Sequence, residues 1–172
     1  MINKLGLPLF VIGIFLILLS LSKNLQTNIK STQSVKLSSG LESQALITKI
    51  VDGDTVDVEI DGKKDVVRLI GINAPETGEC FGRESANKAR AILNSKVVVL
   101  EADPSQDDRD KYNRILRYIF LSDKSNFGEL MINNGFAKEY TYFNSPYKYQ
   151  SFFKNAEKEA RGNNRGLWEA CK

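Results

Sequence analysis

The 172-residue sequence contains no histidine. That excludes a Ser-His-Asp triad, a Cys-His pair and any acid–base chemistry built on imidazole. Cysteine is scarce, at two residues, so a zinc site would have to be completed by carboxylates and is not expected. A dominant charge is missing as well: 24 Lys and Arg against 21 Asp and Glu leave a net charge of +3 and a pI near 8.8. Such a balance permits a polyanionic partner without requiring one, and a mildly basic soluble protein has the same numbers. No internal repeat is visible. Acid–base work in this chain therefore falls to carboxylates, lysines, tyrosines or metal-bound water.

What is present divides the chain into three parts. Residues 5–21 (LGLPLFVIGIFLILLSL) form one apolar run after Lys4. At about 17 residues it is at the lower limit for spanning a bilayer and slightly above a signal-peptide core. No polar face recurs at helical spacing, which argues against a core helix. Residues 1–22 are therefore expected to form an N-terminal apolar helix, either signal peptide or membrane anchor. Ser20-Leu21-Ser22 has the small-x-small form of a cleavage site, while Lys23, Lys30 and Lys36 leave the orientation open. Export is expected, with both release and tethering to the membrane open. Residues 23–43 are polar, poor in aromatics and aperiodic, a composition that cannot bury enough surface to offset ordering entropy, and read as a linker. The remainder, 44–172, is long enough for one domain with its own core.

Within that domain QALITKIV and TVDVEI alternate as strands, and Asp61-Gly62 suits the two positive-φ positions of a type I′ hairpin. KDVVRLIGI reads as a continuous third strand. After Pro75, Ala86, Ala89, Ile92 and Leu93 recur at helical spacing. Residues 96–100 and 114–121 read as strands, 127–134 as a short helix closed by Gly135, and 146–161 as a longer helix with Pro146 in its first turn and Gly162 at its end. The expected class is mainly β with helices: a five-stranded OB-fold barrel with about three α-helices.

Three clusters could carry chemistry. Val51-Asp52-Gly53-Asp54-Thr55 joins two strands; it is either a plain turn or a turn that offers Asp54 to a hard cation. Arg68-Leu69-Ile70-Gly71-Ile72-Asn73-Ala74-Pro75-Glu76 places an arginine inside an apolar strand, either at a solvated edge or beside a partner. Its exit carries Asn73 and Glu76, after Pro75 ends the strand. Residues 107–114 (DDRDKYNR) are either a solvated charged loop or a site in which Arg114, opening the next strand, is held rigidly. An EF-hand is excluded, because the loop has no glycine at its sixth position and no glutamate at its twelfth.

Taken together, in order and spacing, Asp54 in DGDT, RLIGINAPE and DKYNR resemble the three signature blocks of the staphylococcal nuclease family, and the likeness runs from 44 to 168, including Gly166-Leu167-Trp168. The resemblance implies an OB-fold calcium-dependent endonuclease acting on DNA and RNA with little sequence specificity. By the resemblance, Glu76 is the general base or orients the attacking water, and Arg68 and Arg114 grip the phosphate with planar donor forks. Asp54, Asn73 and the carbonyl of Ala74 would hold Ca²⁺. Lys111 and Tyr112 would contact a nucleotide phosphate. Tyr140 and Tyr142 fall near the family's nucleotide-packing tyrosines, although direct alignment places Thr141 and Phe143 there. Core packing is the competing reading of these aromatics.

One position departs from the family: Asn73 stands where its metal site has an aspartate, which keeps an oxygen ligand but removes a charge; this should weaken calcium binding, so that the site needs more calcium or uses nearby Asp52 to compensate. Asn73 also favours the alternative reading, a catalytically weakened nucleic-acid-binding module tethered to the membrane. The presence of Arg68, Glu76 and Arg114 weighs against it. The resemblance does not supply Cys80 and Cys171; in an exported chain an even count suggests a disulfide, and in a reducing compartment two free thiols. A monomer with no protein partner is expected.

Overall fold

The structure, a computed structural model, describes residues 41–172. The apolar run at 5–21 and residues 23–40 of the expected linker lie outside the described residues. Five strands, β1 (Glu42–Ile50), β2 (Thr55–Ile60), β3 (Lys63–Leu69), β5 (Val97–Glu101) and β6 (Ile115–Phe120), close into a barrel of order β1-β2-β3-β6-β5. The β1–β2–β3 meander is antiparallel, β1 also pairs antiparallel with β5, and β3 runs parallel to β6. A barrel of this kind, with helices packed on it, is the expected OB-fold class.

Alternation fills the barrel. Val56 and Val58 of β2, Val67 and Leu69 of β3, and Val98 and Leu100 of β5 all point inward and are buried. β1 breaks step: Ala45 and Ile47 face in, then a bulge between Ile47 and Lys49 shifts the register so that Ile50 also faces in. The bulge turns the end of β1 toward residues 51–54. The Asp61-Gly62 hairpin forms as expected, with φ of 48° and 76°.

The expected third strand is not continuous. It stops at Leu69, turns at Ile70-Gly71, and resumes as β4 (Ile72–Asn73), which leaves the barrel to pair with β7 (Lys138–Glu139). The cause is Gly71: its φ of +80° is left-handed, and a Cβ there would be 2.5 Å from the Tyr147 ring. Asn73 is thereby carried away from the barrel wall.

Helix α1 (Gly82–Leu93) buries Ala86, Ala89 and Leu93 of the positions expected from periodicity, while Ile92 is only partly buried against the core. Helix α2 (Phe127–Asn133) starts at an unforeseen cap, Asn126 Oδ1 accepting from Glu129 N at 3.2 Å. It ends in a Schellman arrangement, Phe136 N donating to Met131 O and Gly135 N to Ile132 O. Helix α3 (Gln150–Gly162) begins four residues later than expected from Pro146. Tyr147 turns into the core instead, its hydroxyl hydrogen-bonded to Gly71 O (3.2 Å) and Glu139 Oε1 (2.9 Å), and Lys148 N donates to Asp103 Oδ2 (2.8 Å). A fourth helix, α4 (Leu167–Ala170), was not expected; it is seated by the buried Leu167, whose N donates to Gly135 O. Cys80 and Cys171 are joined through their sulfurs, their Cα atoms 5.8 Å apart. Among the described residues no helix is long and apolar enough to cross a membrane.

Gly71→Ala should cost about 2–4 kcal/mol, from the left-handed backbone and the clash with Tyr147. Gly78→Ala, where a Cβ meets nothing within 4 Å, should stay within about 0.5 kcal/mol. Urea unfolding of both variants checks this; equal losses contradict it.

Candidate active site

The turn after β1 is built by Asp52, whose Oδ1 accepts from Asp54 N (2.9 Å) and Thr55 N (2.7 Å). Gly53 lets this turn sit against α1, where a Cβ would be 2.0 Å from Ser85 Oγ. Asp54 is thereby pushed inward until only 4% of it is exposed. Its Oδ2 accepts from Ala74 N (2.7 Å), and its Oδ1 from Thr55 Oγ1 (3.0 Å) and Arg68 Nε (3.1 Å). Burial pushes the Asp54 carboxyl up to about 6; Arg68 opposes the rise and Asp52 adds to it.

Arg68 answers the question its sequence position raised: it is half-buried beside partners, not at a freely solvated edge. β2 and β3 place Thr55 opposite Arg68, and Leu69 N donates to Asp54 O (2.9 Å). The Arg68 side chain is 14% exposed and its guanidinium binds outward from Asp54: Nη1 donates to Leu69 O (2.7 Å) and Ile72 O (2.8 Å), Nη2 to Asn73 Oδ1 (3.2 Å). An arginine has five N–H donors. Four are engaged here, so Arg68 keeps one Nη2 hydrogen and its charge for a substrate oxygen, not a free fork.

Arg114 differs. The parallel β3–β6 register pairs Arg68 with Leu116, and Arg114 lies two residues before Leu116, on the same face. Asp110 Oδ1 accepts from Tyr112 N and Arg114 N, and its Oδ2 takes Nε and Nη2 of Arg114, both at 2.7 Å. These hydrogen bonds help hold the Asp110 carboxyl below the usual carboxylate range, although partial burial opposes them. One edge of the Arg114 fork is thus fixed, while the Nη1 edge is left for a ligand.

Both arginines line one cleft of about 460 Å³, with Asn73, Lys111, Tyr112, Tyr140 and Tyr142. Lys111 Nζ and the Arg114 guanidinium lie 5.0 and 5.3 Å from the Tyr112 ring centroid. Of the two registers open for the second aromatic cluster, Tyr140 and Tyr142 face the cleft, whereas Thr141 donates its hydroxyl to Glu139. Phe143, 85% exposed, packs edge-on against Tyr142 at 4.5 Å. The sequence reading missed the clamp role of Asp110 and the place of Tyr147 in the wall; the Asp–x–x–x–Arg spacing was the one available signal for the first, and nothing local marks the second.

Glu76 is exposed and does not line that cleft. It heads a turn in which Glu79 N donates to Glu76 O (2.8 Å) and Glu76 N to Glu79 Oε2 (3.0 Å). This turn borders a second, smaller cavity of about 200 Å³ lined by Asn73, Pro75, Glu79, Cys80, Lys138, Leu167 and Cys171. Asn73 lines both cavities and accepts from Arg68, whereas Glu76 lines neither.

The donors expected to hold a metal fit a hard cation. Asp54 is a buried carboxylate whose raised pKa a cation would relieve, and Asn73 and Ala74 add neutral oxygens. Among the described residues no group of three or more His, Cys, Asp or Glu could hold a metal. A cation here would therefore rely on few protein oxygens and retain water, which suits Ca²⁺ or Mg²⁺ and not Zn²⁺.

An OB-fold barrel with two carboxylate-anchored arginines in an aromatic-lined cleft has the equipment of a phosphodiester-hydrolysing enzyme. Comparison with known proteins narrows the class. The family model for "Staphylococcal nuclease homologue" matches residues 66–170. The chain is 31% identical over 142 residues to the thermonuclease of Staphylococcus hyicus, covering 79% of this chain and 82% of that protein. It is 32% identical over 130 residues to the micrococcal nuclease of Shigella flexneri, with 71% of each chain covered. Over 128 residues it is 32% identical to endonuclease YncB of Bacillus subtilis, covering 71% of this chain and 60% of that one. The chain belongs to the staphylococcal nuclease family and is an enzyme of the nuclease class.

The Asp54 shift makes a pH prediction. A carboxyl whose pKa is raised from 3.8 to about 6 adds stability that is fully present below pH 4 and lost as pH rises through 6. In a metal chelator, wild type should lose about 2 kcal/mol relative to Asp54→Asn between pH 4 and pH 7. Denaturant unfolding across that range checks it; parallel pH curves contradict it.

Proposed function

We propose that this nuclease is a calcium-dependent endonuclease that hydrolyses phosphodiester bonds of DNA and RNA with little sequence specificity. The observation that carries the reading is the pair of arginines on one face of the cleft, each fixed by its own carboxylate and each with at least one donor left for a phosphate oxygen. Phosphodiester hydrolysis needs an activated water and stabilisation of the extra charge of the transition state. Arg114 would present its free edge to the phosphate, and Arg68 its remaining N–H. Lys111 and Tyr112 would hold a neighbouring phosphate, and Tyr140 and Tyr142 would stack on bases, a contact indifferent to sequence. Glu76 would take the proton of the attacking water. Bound calcium, held by Asp54, Asn73 and the Ala74 carbonyl, would supply charge neutralisation at the phosphate.

Export also belongs to this reading. The apolar run at 5–21 and the joined cysteines support a nuclease domain working outside the cell, which starts at Glu42 where β1 joins the barrel, released or anchored through residues 1–22, with the polar residues from 23 up to β1 as spacer and the enzyme acting as a monomer. The alternative, a weakened binding module, rests on Asn73 alone.

The deciding assay is cleavage of single-stranded DNA by the full chain, with calcium and with a chelator. Expected are cleavage that needs calcium, a loss of about a hundredfold or more in Glu76→Gln, and a calcium requirement shifted to lower concentration in Asn73→Asp. Binding without cleavage at high calcium would move the protein to the binding-module reading, and an unmoved calcium requirement in Asn73→Asp would remove the explanation given for that residue.

A further inference from the structure

The segment that carries Glu76 is nearly self-contained. Glu76 and Glu79 bind each other, and Gly82 N, at the head of α1, donates to Glu79 O (3.1 Å). The turn is closed so tightly that a Cβ at Gly82 would be 1.8 Å from Glu76 O. Yet no N–H or O–H of residues 75–80 donates to any other element among the described residues, and 76–80 are exposed throughout. As a unit the turn is attached by its chain ends, by the Phe81 ring against Phe136 (5.4 Å between centroids), and by the bond from Cys80 to Cys171.

The far end of that bond is well anchored. Cys171 follows α4, whose Leu167 is buried and whose Trp168 ring lies 4.6 Å from the Arg161 guanidinium and 5.4 Å from Lys138 Nζ. Lys138 is the register partner of Asn73. The cysteine bond therefore ties the Glu76 turn to a helix docked on the same two-stranded sheet that carries Asn73.

We infer that Cys80 and Cys171 are positioning residues for the reaction: their bond sets where Glu76 stands relative to Asn73 and the arginine cleft, and its reduction switches turnover off without unfolding the barrel. This rests on the role proposed above for Glu76. Both sulfurs belong to exposed residues, so a small thiol reductant can reach them. Its thiolate attacks one sulfur and breaks the Cys80–Cys171 bond, forming a mixed disulfide. A second thiol of the reductant then resolves it. Two electrons and two protons end on the two cysteines, and the reductant leaves as its own disulfide. A chain that is slow while reduced and fast once oxidised would be restrained until it reaches an oxidising compartment.

The test compares the full chain, oxidised and after treatment with dithiothreitol confirmed by thiol titration, with the Cys80→Ser, Cys171→Ser double variant and with Glu76→Gln. Expected on reduction, and in the double variant, is a fall in kcat of about tenfold or more with KM changed less than twofold, since the arginine cleft is untouched. Reoxidation of the wild type should restore kcat, and amide exchange should quicken at 76–81 while the barrel strands keep their protection. An unchanged kcat in reduced, folded protein overturns the inference while leaving the nuclease reading intact, provided Glu76→Gln is inactive. Reduction that unfolds the whole barrel overturns it too, because the bond then holds the fold and not the turn. Full turnover in Glu76→Gln overturns both readings together.

Discussion

The ion pair between the buried Asp54 and the half-buried Arg68 is the contact on which the rest of the site depends. Asp54 could not be this deeply buried as an anion alone, since an unpaired buried ion is far costlier than a paired one. Each member then reaches a different element: Asp54 to the backbone of Ala74, and Arg68 to the carbonyls of Leu69 and Ile72 and the amide of Asn73. Together they hold the chain through the Ile70-Gly71 turn, where it leaves the barrel, and fix the positions of the candidate metal donors relative to the cleft. The pair is not simply stabilising: burial still raises the Asp54 carboxyl despite the arginine beside it.

Much of this was readable beforehand. Two-residue alternation with the Asp61-Gly62 signal fixed the first hairpins, and helical spacing of Ala86, Ala89 and Leu93 gave the buried face of α1. What local pattern could not show is tertiary. KDVVRLIGI is uniformly strand-like in composition, so its break at Gly71 depends on Tyr147, 76 positions away. The helix expected at Pro146 starts later for the same reason, because Tyr147 packs inward instead of joining it.

The site was legible as a set of residues and less so as a geometry. Arg68, Asn73, Lys111, Tyr112, Arg114, Tyr140 and Tyr142 come together in one cleft. Glu76 stands apart from it, on an exposed turn. Spacing in sequence cannot reveal which donors of an arginine are already engaged. The structure distinguishes Arg68, nearly saturated by its own protein, from Arg114, which keeps an open edge.

The most direct test of this account is a double-mutant cycle on kcat/KM at a saturating concentration of the divalent cation that supports cleavage, using Asp54→Asn, Arg68→Gln and both together, in samples shown to be folded. If the pair acts as one unit, the double variant will be little slower than the slower single variant, a coupling on the order of 2 kcal/mol. Losses that simply add would contradict it, and would mean that the two residues serve the reaction separately.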